Sequence, residues 1–178
     1  MEQALVLAQK SIDCDPLDAR AHAEMGLVQL YRGCLDESIT AYEKARKINP
    51  NDADILADLG DAIAYNGNPE EAVHMIREAM RRNPFYPDRY LWHLGGAYYA
   101  LRQYEDTIKT MRKMSNADQT HRLLAASYAQ INDLQHARMH AELLLKVQPN
   151  FDPNEWANKQ PERDEAEKEH LKEGLVKV

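Results

Sequence analysis

This 178-residue chain has little of what marks a secreted, membrane-spanning or metal-built protein. It holds two cysteines, Cys14 and Cys34, with no Cys-x-x-Cys spacing and no set of pairs. That excludes a disulfide scaffold or a zinc-finger framework and leads us to expect reduced thiols in a cytoplasmic setting. No apolar run approaches the roughly 18 residues that cross a membrane, so no membrane insertion is expected. No basic start followed by an apolar stretch reads as a leader. Basic clusters are also lacking: 22 Lys and Arg are mixed among 29 Asp and Glu, for a net charge of -7 and a pI near 5.5. Sequence-independent nucleic-acid binding needs clustered cations, so nucleic acid is not an expected partner. There is no Gly-rich phosphate loop and no nucleophile–base arrangement. We therefore expect no catalytic site and no cofactor.

Only seven glycines and eight prolines are present, and they stand at regular stations. Pro16, Pro50 and Pro84 are 34 residues apart, closing "IDCDP", "KINP" and "RRNP". A proline just past an apolar rhythm is a helix stop. Between the stops one order recurs. "AHAEMGLVQLYRGCLDESITAYEKARKINP" aligns with "ILADLGDAIAYNGNPEEAVHMIREAMRRNP". Met25-Gly26 matches Leu59-Gly60, and Gly33 matches Gly67. Ser38, Tyr42 and Ala45 match Ala72, Ile76 and Ala79. Small residues let two antiparallel helices approach closely, and bulky ones fill the space beside the next hairpin. A lone hairpin leaves an apolar face open, so neighbours must stack.

A 34-residue helix–turn–helix unit with this order resembles the tetratricopeptide repeat. The resemblance implies an all-α fold, a right-handed α-solenoid of about 3.5 to 4.5 helical hairpins, over residues 1–149. Residues 1–16 match the second helix of a partial repeat. Residues 17–50 and 51–84 are full repeats. Residues 85–116 form a third, whose second helix reads about a turn short, with "SNAD" replacing the closing proline. Residues 117–149 form a fourth, with Ala125 in the glycine position. Residues 150–178 read as a C-terminal anchor and capping helix. The stretches "NPFYPDRYLWHLGGAYYALRQYEDTI", "LAASYAQIND" and "PNFDPNEWANKQP…HLKEGL" further resemble the C-terminal repeat region of bacterial class III nucleotide cyclases and some winged-helix regulators. A start inside a hairpin likewise resembles a fragment of a longer protein.

Seven of the chain's aromatic residues crowd into 85–104: Phe85, Tyr86, Tyr90, Trp92, Tyr98, Tyr99 and Tyr104. Leu91, Leu94, Gly95, Tyr98 and Leu101 share a helical stripe that reads as core. Arg89, Trp92, His93, Gly96, Tyr99 and Ala100 share another. The resemblance implies that first helices line a concave groove, so this second stripe faces either that groove or a neighbouring first helix. Tyr104 reads as core, while Phe85 and Tyr86 read as shaping the turn. The equivalent positions are Ala23, Leu27 and Tyr31 in the first repeat, and Asp54, Asp58, Asp61 and Tyr65 in the second. In the fourth they are Arg122, Ala126 and Gln130. The expected partner is a protein or peptide, with the acidic row suited to a basic or amphipathic one. A solvated acidic face is the plain alternative. Lys and Asn grip a C-terminal carboxylate in some members of this class, but Ala23, Leu27, Asp58 and Asp61 hold those places here.

His136 and His140, an i, i+4 pair without a third ligand, read as outer-helix histidines and not as a metal site. Phe151 and Trp156 are expected to cover the open end of the last hairpin beneath a charged helix. A tail that docks on a partner is the alternative. Leu5, Val6, Leu7 and Ile12 lack part of their cover, so a homodimer through residues 1–30 is expected. The functional expectation is a non-catalytic interaction scaffold, the C-terminal docking or regulatory region of a bacterial signalling protein such as a nucleotide cyclase. The alternative is a small-molecule or peptide sensor using Trp92, Tyr99 and Arg122.

Overall fold

The computed structural model describes residues 1–177, which are all-α. Its helices are α1 (Glu2–Cys14), α2 (Ala19–Tyr31), α3 (Leu35–Ile48), α4 (Ala53–Tyr65), α5 (Pro69–Arg82), α6 (Asp88–Ala100), α7 (Tyr104–Met111), α8 (His121–Gln130), α9 (Leu134–Val147), α10 (Pro153–Asn158) and α11 (Glu165–Val176). A 3-10 turn at Ala117–Gln119 precedes α8. The helices pair as the hairpins α2–α3, α4–α5, α6–α7 and α8–α9. The chain forms two compact units, Met1–Tyr86 with Pro161–Arg163, and Pro87–Gln160 with the segment from Asp164 onward.

Helix starts follow from short acids. Asp18 caps α2 by accepting from the Arg20 N–H at 2.8 Å. Asp52 caps α4 through the Asp54 and Ile55 N–H groups. Such caps satisfy donors that a helix's first turn leaves without an intrahelical acceptor. Each hairpin turn repeats one geometry. Gly33 and Gly67 adopt positive φ, and so do Arg102 and Asn132 at the matching places in the later repeats. In every case the next residue's N–H reaches back to the first helix: Cys34 to Gln29 O, Asn68 to Ile63 O, Gln103 to Tyr98 O and Asp133 to Tyr128 O. This is a left-handed helix cap.

In the first unit, α2 and α3 meet at Gly26, where an added Cβ would stand 2.7 Å from the buried Tyr42 ring. Ser38 Oγ donates to Gly26 O at 2.7 Å beside it. Gly60 meets Ile76 in the same way in α4–α5. In the second unit Gly95 faces Met111, and Thr107 Oγ1 donates to Gly95 O at 3.3 Å. α7 has eight residues where α3, α5 and α9 have fourteen. The shortened end is tied back to α6. Asp88 Oδ2 accepts from Ser115 Oγ at 2.7 Å and from the Asn116 N–H at 2.9 Å. These bonds hold its carboxyl below the usual range.

Two glycines separate packing from propensity. Gly26→Ala gains helix propensity but drives a methyl into a ring that cannot move, so it should destabilise the protein by about 1–3 kcal/mol. Gly96→Ala meets nothing within 4 Å and should stabilise by about 0.5–1 kcal/mol. Urea unfolding followed by circular dichroism measures both. Equal shifts of one sign would mean that close approach does not select glycine here.

Candidate functional site

The candidate stripes of the two units are built differently. In the first unit, Asp54, Asp58 and Asp61 lie half-buried along α4, with Arg20 of α2 3.8 Å from Asp54. Glu24 and Leu27 of α2 are exposed, Tyr31 is 65% exposed, and Tyr65 is half-buried. The acids lie close enough to the buried Tyr42 that its hydroxyl is held well above the usual tyrosine range, first by burial and then by Asp58, Asp61 and Glu24. Ala23, expected on the groove stripe, is core. Residues 161–163 pass this unit. The Arg163 N–H donates to Tyr65 O at 3.0 Å, and its guanidinium pairs with Asp36 at 2.5 Å.

In the second unit the stripe is covered by the chain itself. Arg122 of α8 lies between two indoles, 5.0 Å from the Trp92 ring centre and 4.3 Å from that of Trp156 on α10. A guanidinium between indole faces is a favourable cation–π arrangement. Arg89 and His93 are half-buried on α6. Tyr99 is buried, because α11 packs across α8 and over its ring. The His170 ring stands 4.9 Å from Tyr99 and 6.0 Å from Tyr104. Its Nε2 is 3.2 Å from Tyr104 Oη, and its Nδ1 is 3.4 Å from Gln130 Nε2. Burial, and then the Arg102 charge, hold the His170 pKa below the ordinary value. Burial raises the Tyr99 hydroxyl. Arg102 makes two bonds to Glu167, at 2.7 and 2.9 Å. Lys177 Nζ donates to Gln130 Oε1 at 2.9 Å.

Several expectations need correcting. The tail does not cover the open end of the last hairpin. Phe151 and Trp156 lie together, 6.2 Å between ring centres, with Trp156 over Arg122, while α11 lies on α8. Met139, Leu145 and Val147 of α9 consequently remain exposed. The reason is chemical: α11 offers a mixed polar stripe that fits Arg102, Tyr104 and Gln130 and not an apolar helix face. Tyr104 is half-buried in that contact, and Leu101 is the half-buried cap residue of α6. Phe85 is 94% exposed. Sequence reasoning missed Arg102, Glu167, His170 and Gly174. The readable signal was Glu167, His170, Leu171, Gly174 and Leu175 at i, i+3, i+4, i+7 and i+8, a helical face hidden because only two of its members are apolar.

His136 and His140 are not simple surface groups. His140 Nδ1 lies 3.1 Å from Nδ1 of His121, its ring stacks on Tyr128, and His136 pairs with Asp133 at 2.7 Å. Among the described residues no group of three or more His, Cys, Asp or Glu could hold a metal. Burial first, then the charges of His121, His136 and Arg112, push the His140 pKa from 6.5 to about 4. The folded α8–α9 hairpin therefore holds the neutral ring. That contribution is full above pH 6.5 and is lost as the pH falls from 6.5 toward 4. The melting temperature should drop across this window, and His140→Gln should flatten the upper part of the drop. An unchanged profile would place the acid lability elsewhere.

Two family models match, "TPR repeat" at residues 30–67 and "Tetratricopeptide repeat" at residues 57–119. Neither describes an enzyme. No curated protein matches the sequence. The fold is similar to PilW, a widely conserved type IV pilus biogenesis factor, with TM-score 0.75 and 14% identity over 98% of this chain and 81% of that one. It is similar to TTC0263, a thermophilic TPR protein of Thermus thermophilus, with TM-score 0.73 and 16% identity over 98% and 89%. It is also similar to YrrB, described as a TPR protein with an unusual peptide-binding site, with TM-score 0.59 and 16% identity over 96% and 89%. No helix among the described residues is long and apolar enough to cross a membrane. The recurring glycine contacts, the shared turn geometry and both family matches lead to one assignment: the chain is a tetratricopeptide repeat protein.

Proposed function

We propose that this chain is a non-catalytic protein-interaction scaffold that binds peptide segments on the first-helix faces of its repeats. We further propose that it is the docking or regulatory region of a bacterial signalling protein such as a nucleotide cyclase, acting in the cytoplasm. The observation that carries the scaffold reading is α11 lying on α8 and Tyr99, because the face already accepts a helix. The peptide-binding site named for YrrB is consistent with it. A small-molecule sensor built on Trp92, Tyr99 and Arg122 is less favoured, since Trp156 and α11 fill that space with protein groups.

On the first unit the proposed ligand is a cationic amphipathic peptide. Glu24, Asp54, Asp58 and Asp61 supply one sign of charge beside Leu27 and Tyr31. A Lys-rich helical peptide should bind in fluorescence anisotropy and weaken with salt. Replacing Asp54, Asp58 and Asp61 together with Asn should lower its affinity by about tenfold. Equal affinity for both proteins would refute the acidic site.

We also propose that a second copy covers α1, where Val6 is 52% and Leu7 63% exposed, and Leu17 after it is exposed as well. Exposed apolar area of this kind favours association at roughly 25 cal/mol per Å2 buried. Sedimentation should show a dimer that dissociates in a Val6→Glu, Leu7→Glu variant. A monomer at high protein concentration excludes it.

A further inference from the structure

We infer that α11 is a displaceable occupant of the α6–α8 face, and that the face takes in its place a partner helix of the same pattern. That pattern is a carboxylate, a histidine three residues on, and a glycine–leucine pair seven and eight residues on. The inference rests on the scaffold reading and names the ligand of its second face.

Each position of the pattern meets its own receptor group. Glu167 receives both arms of the Arg102 guanidinium, a bidentate geometry that fixes register. His170 is held by Tyr104 and Gln130 and lies against Tyr99. Gly174 is the point of closest approach. An added Cβ would strike Tyr99 Oη and stand 3.0 Å from the Ala126 methyl. Leu175 is buried next to it. These positions share one side of a helix, so the seat reads a stripe and not a single residue.

Two observations argue that the occupant exchanges. First, α11 buries only Gly174 and Leu175, whereas α4 buries Ile55, Leu56, Ala57, Leu59, Gly60, Ala62 and Ile63. Leu171 is half-buried beside them, and the rest of the contact is made by polar tips that water can serve after departure. Contacts of this polar kind resemble transient interfaces more than cores. Second, the receptor arginine occupies a costly place. Arg102 sits at φ 62, where the first two repeats use Gly33 and Gly67. A left-handed non-glycine residue carries a steric cost, and such costs collect at functional positions. Here Arg102 spans from Ala100 O to Glu167. The tether through residues 159–164 gives α11 a high effective concentration, so a partner helix must outcompete a linked rival.

The test uses the full chain. Gly174→Leu keeps or raises helix propensity but cannot seat against Tyr99. Hydrogen exchange at residues 167–176 should accelerate. A fluorescein-labelled peptide of residues 164–177 should then bind this variant about tenfold more tightly than wild type, where α11 competes. Equal affinity for the two proteins, or no binding to a variant whose α11 has detached, overturns the inference. Where the acidic-face peptide still binds, either result leaves the scaffold reading standing. Should Gly174→Leu fail to fold or to detach, Arg102→Glu provides the second arm. It should prefer a peptide carrying Glu167→Lys over the native peptide by about fivefold. Equal binding of both peptides overturns the inference as well.

Discussion

The structure depends on one contact made again in three of the hairpins: a glycine backbone on the first helix pressed against a bulky side chain on the second. Gly26 and Tyr42, Gly60 and Ile76, and Gly95 and Met111 are the three glycine cases. The side chains that glycine lacks let the helix axes approach, and the bulky partner seals the gap from water. Small hydroxyls reinforce the same point, Ser38 and Thr107 bonding the carbonyls of Gly26 and Gly95. Once this side of a first helix is committed to its own hairpin, its opposite side is left to line a face. Function in this fold is therefore a property of what stands on the unused side.

The two units use that side in opposite ways. α4 of the first unit carries a row of acids whose mutual repulsion is moderated by water and by Arg20. The buried Tyr42 hydroxyl registers the resulting field. α6 and α8 of the second unit carry aromatic and basic groups, and the chain supplies their ligands from its own tail: Trp156 for Arg122, Glu167 for Arg102, His170 for Tyr99 and Tyr104. The first face carries the charge that the proposed cationic peptide requires. The second already holds a helix with a carboxylate and a flat ring.

Much of the fold was legible because its determinants are periodic. The 34-residue spacing of Pro16, Pro50 and Pro84 and of the paired Gly and Ala positions marks local geometry that any copy of the repeat must satisfy. The short α7 was also legible, since "SNAD" stands where a helix would otherwise end at proline. The tail was not, for a physical reason. Periodicity reports burial of apolar groups, and α11 docks through a salt bridge, an imidazole and a missing side chain. A glycine in a charged helix reads as a weakness when taken alone. Only its neighbours Tyr99 and Ala126 show that it is the contact. Arg102 was equally silent, because a turn arginine carries no apolar signal and its φ is invisible in sequence.

The turn positions show how a repeat acquires a specific site without losing its architecture. Gly33 and Gly67 adopt positive φ at no steric cost and add nothing to a face. Asn132 adopts it with a short polar side chain that tolerates the conformation. Arg102 adopts it while carrying a guanidinium, keeping the same backbone bond from the next residue to the first helix. The repeat thus tolerates a substitution whose cost is local and whose benefit lies elsewhere, in α11. At Arg102 the departure from the repeat rule leaves the cap bonded and adds a charged group that pairs with α11. Asn132 keeps the same cap with a short amide in place of a charged group, so the two departures share a backbone and differ in what they add to the face.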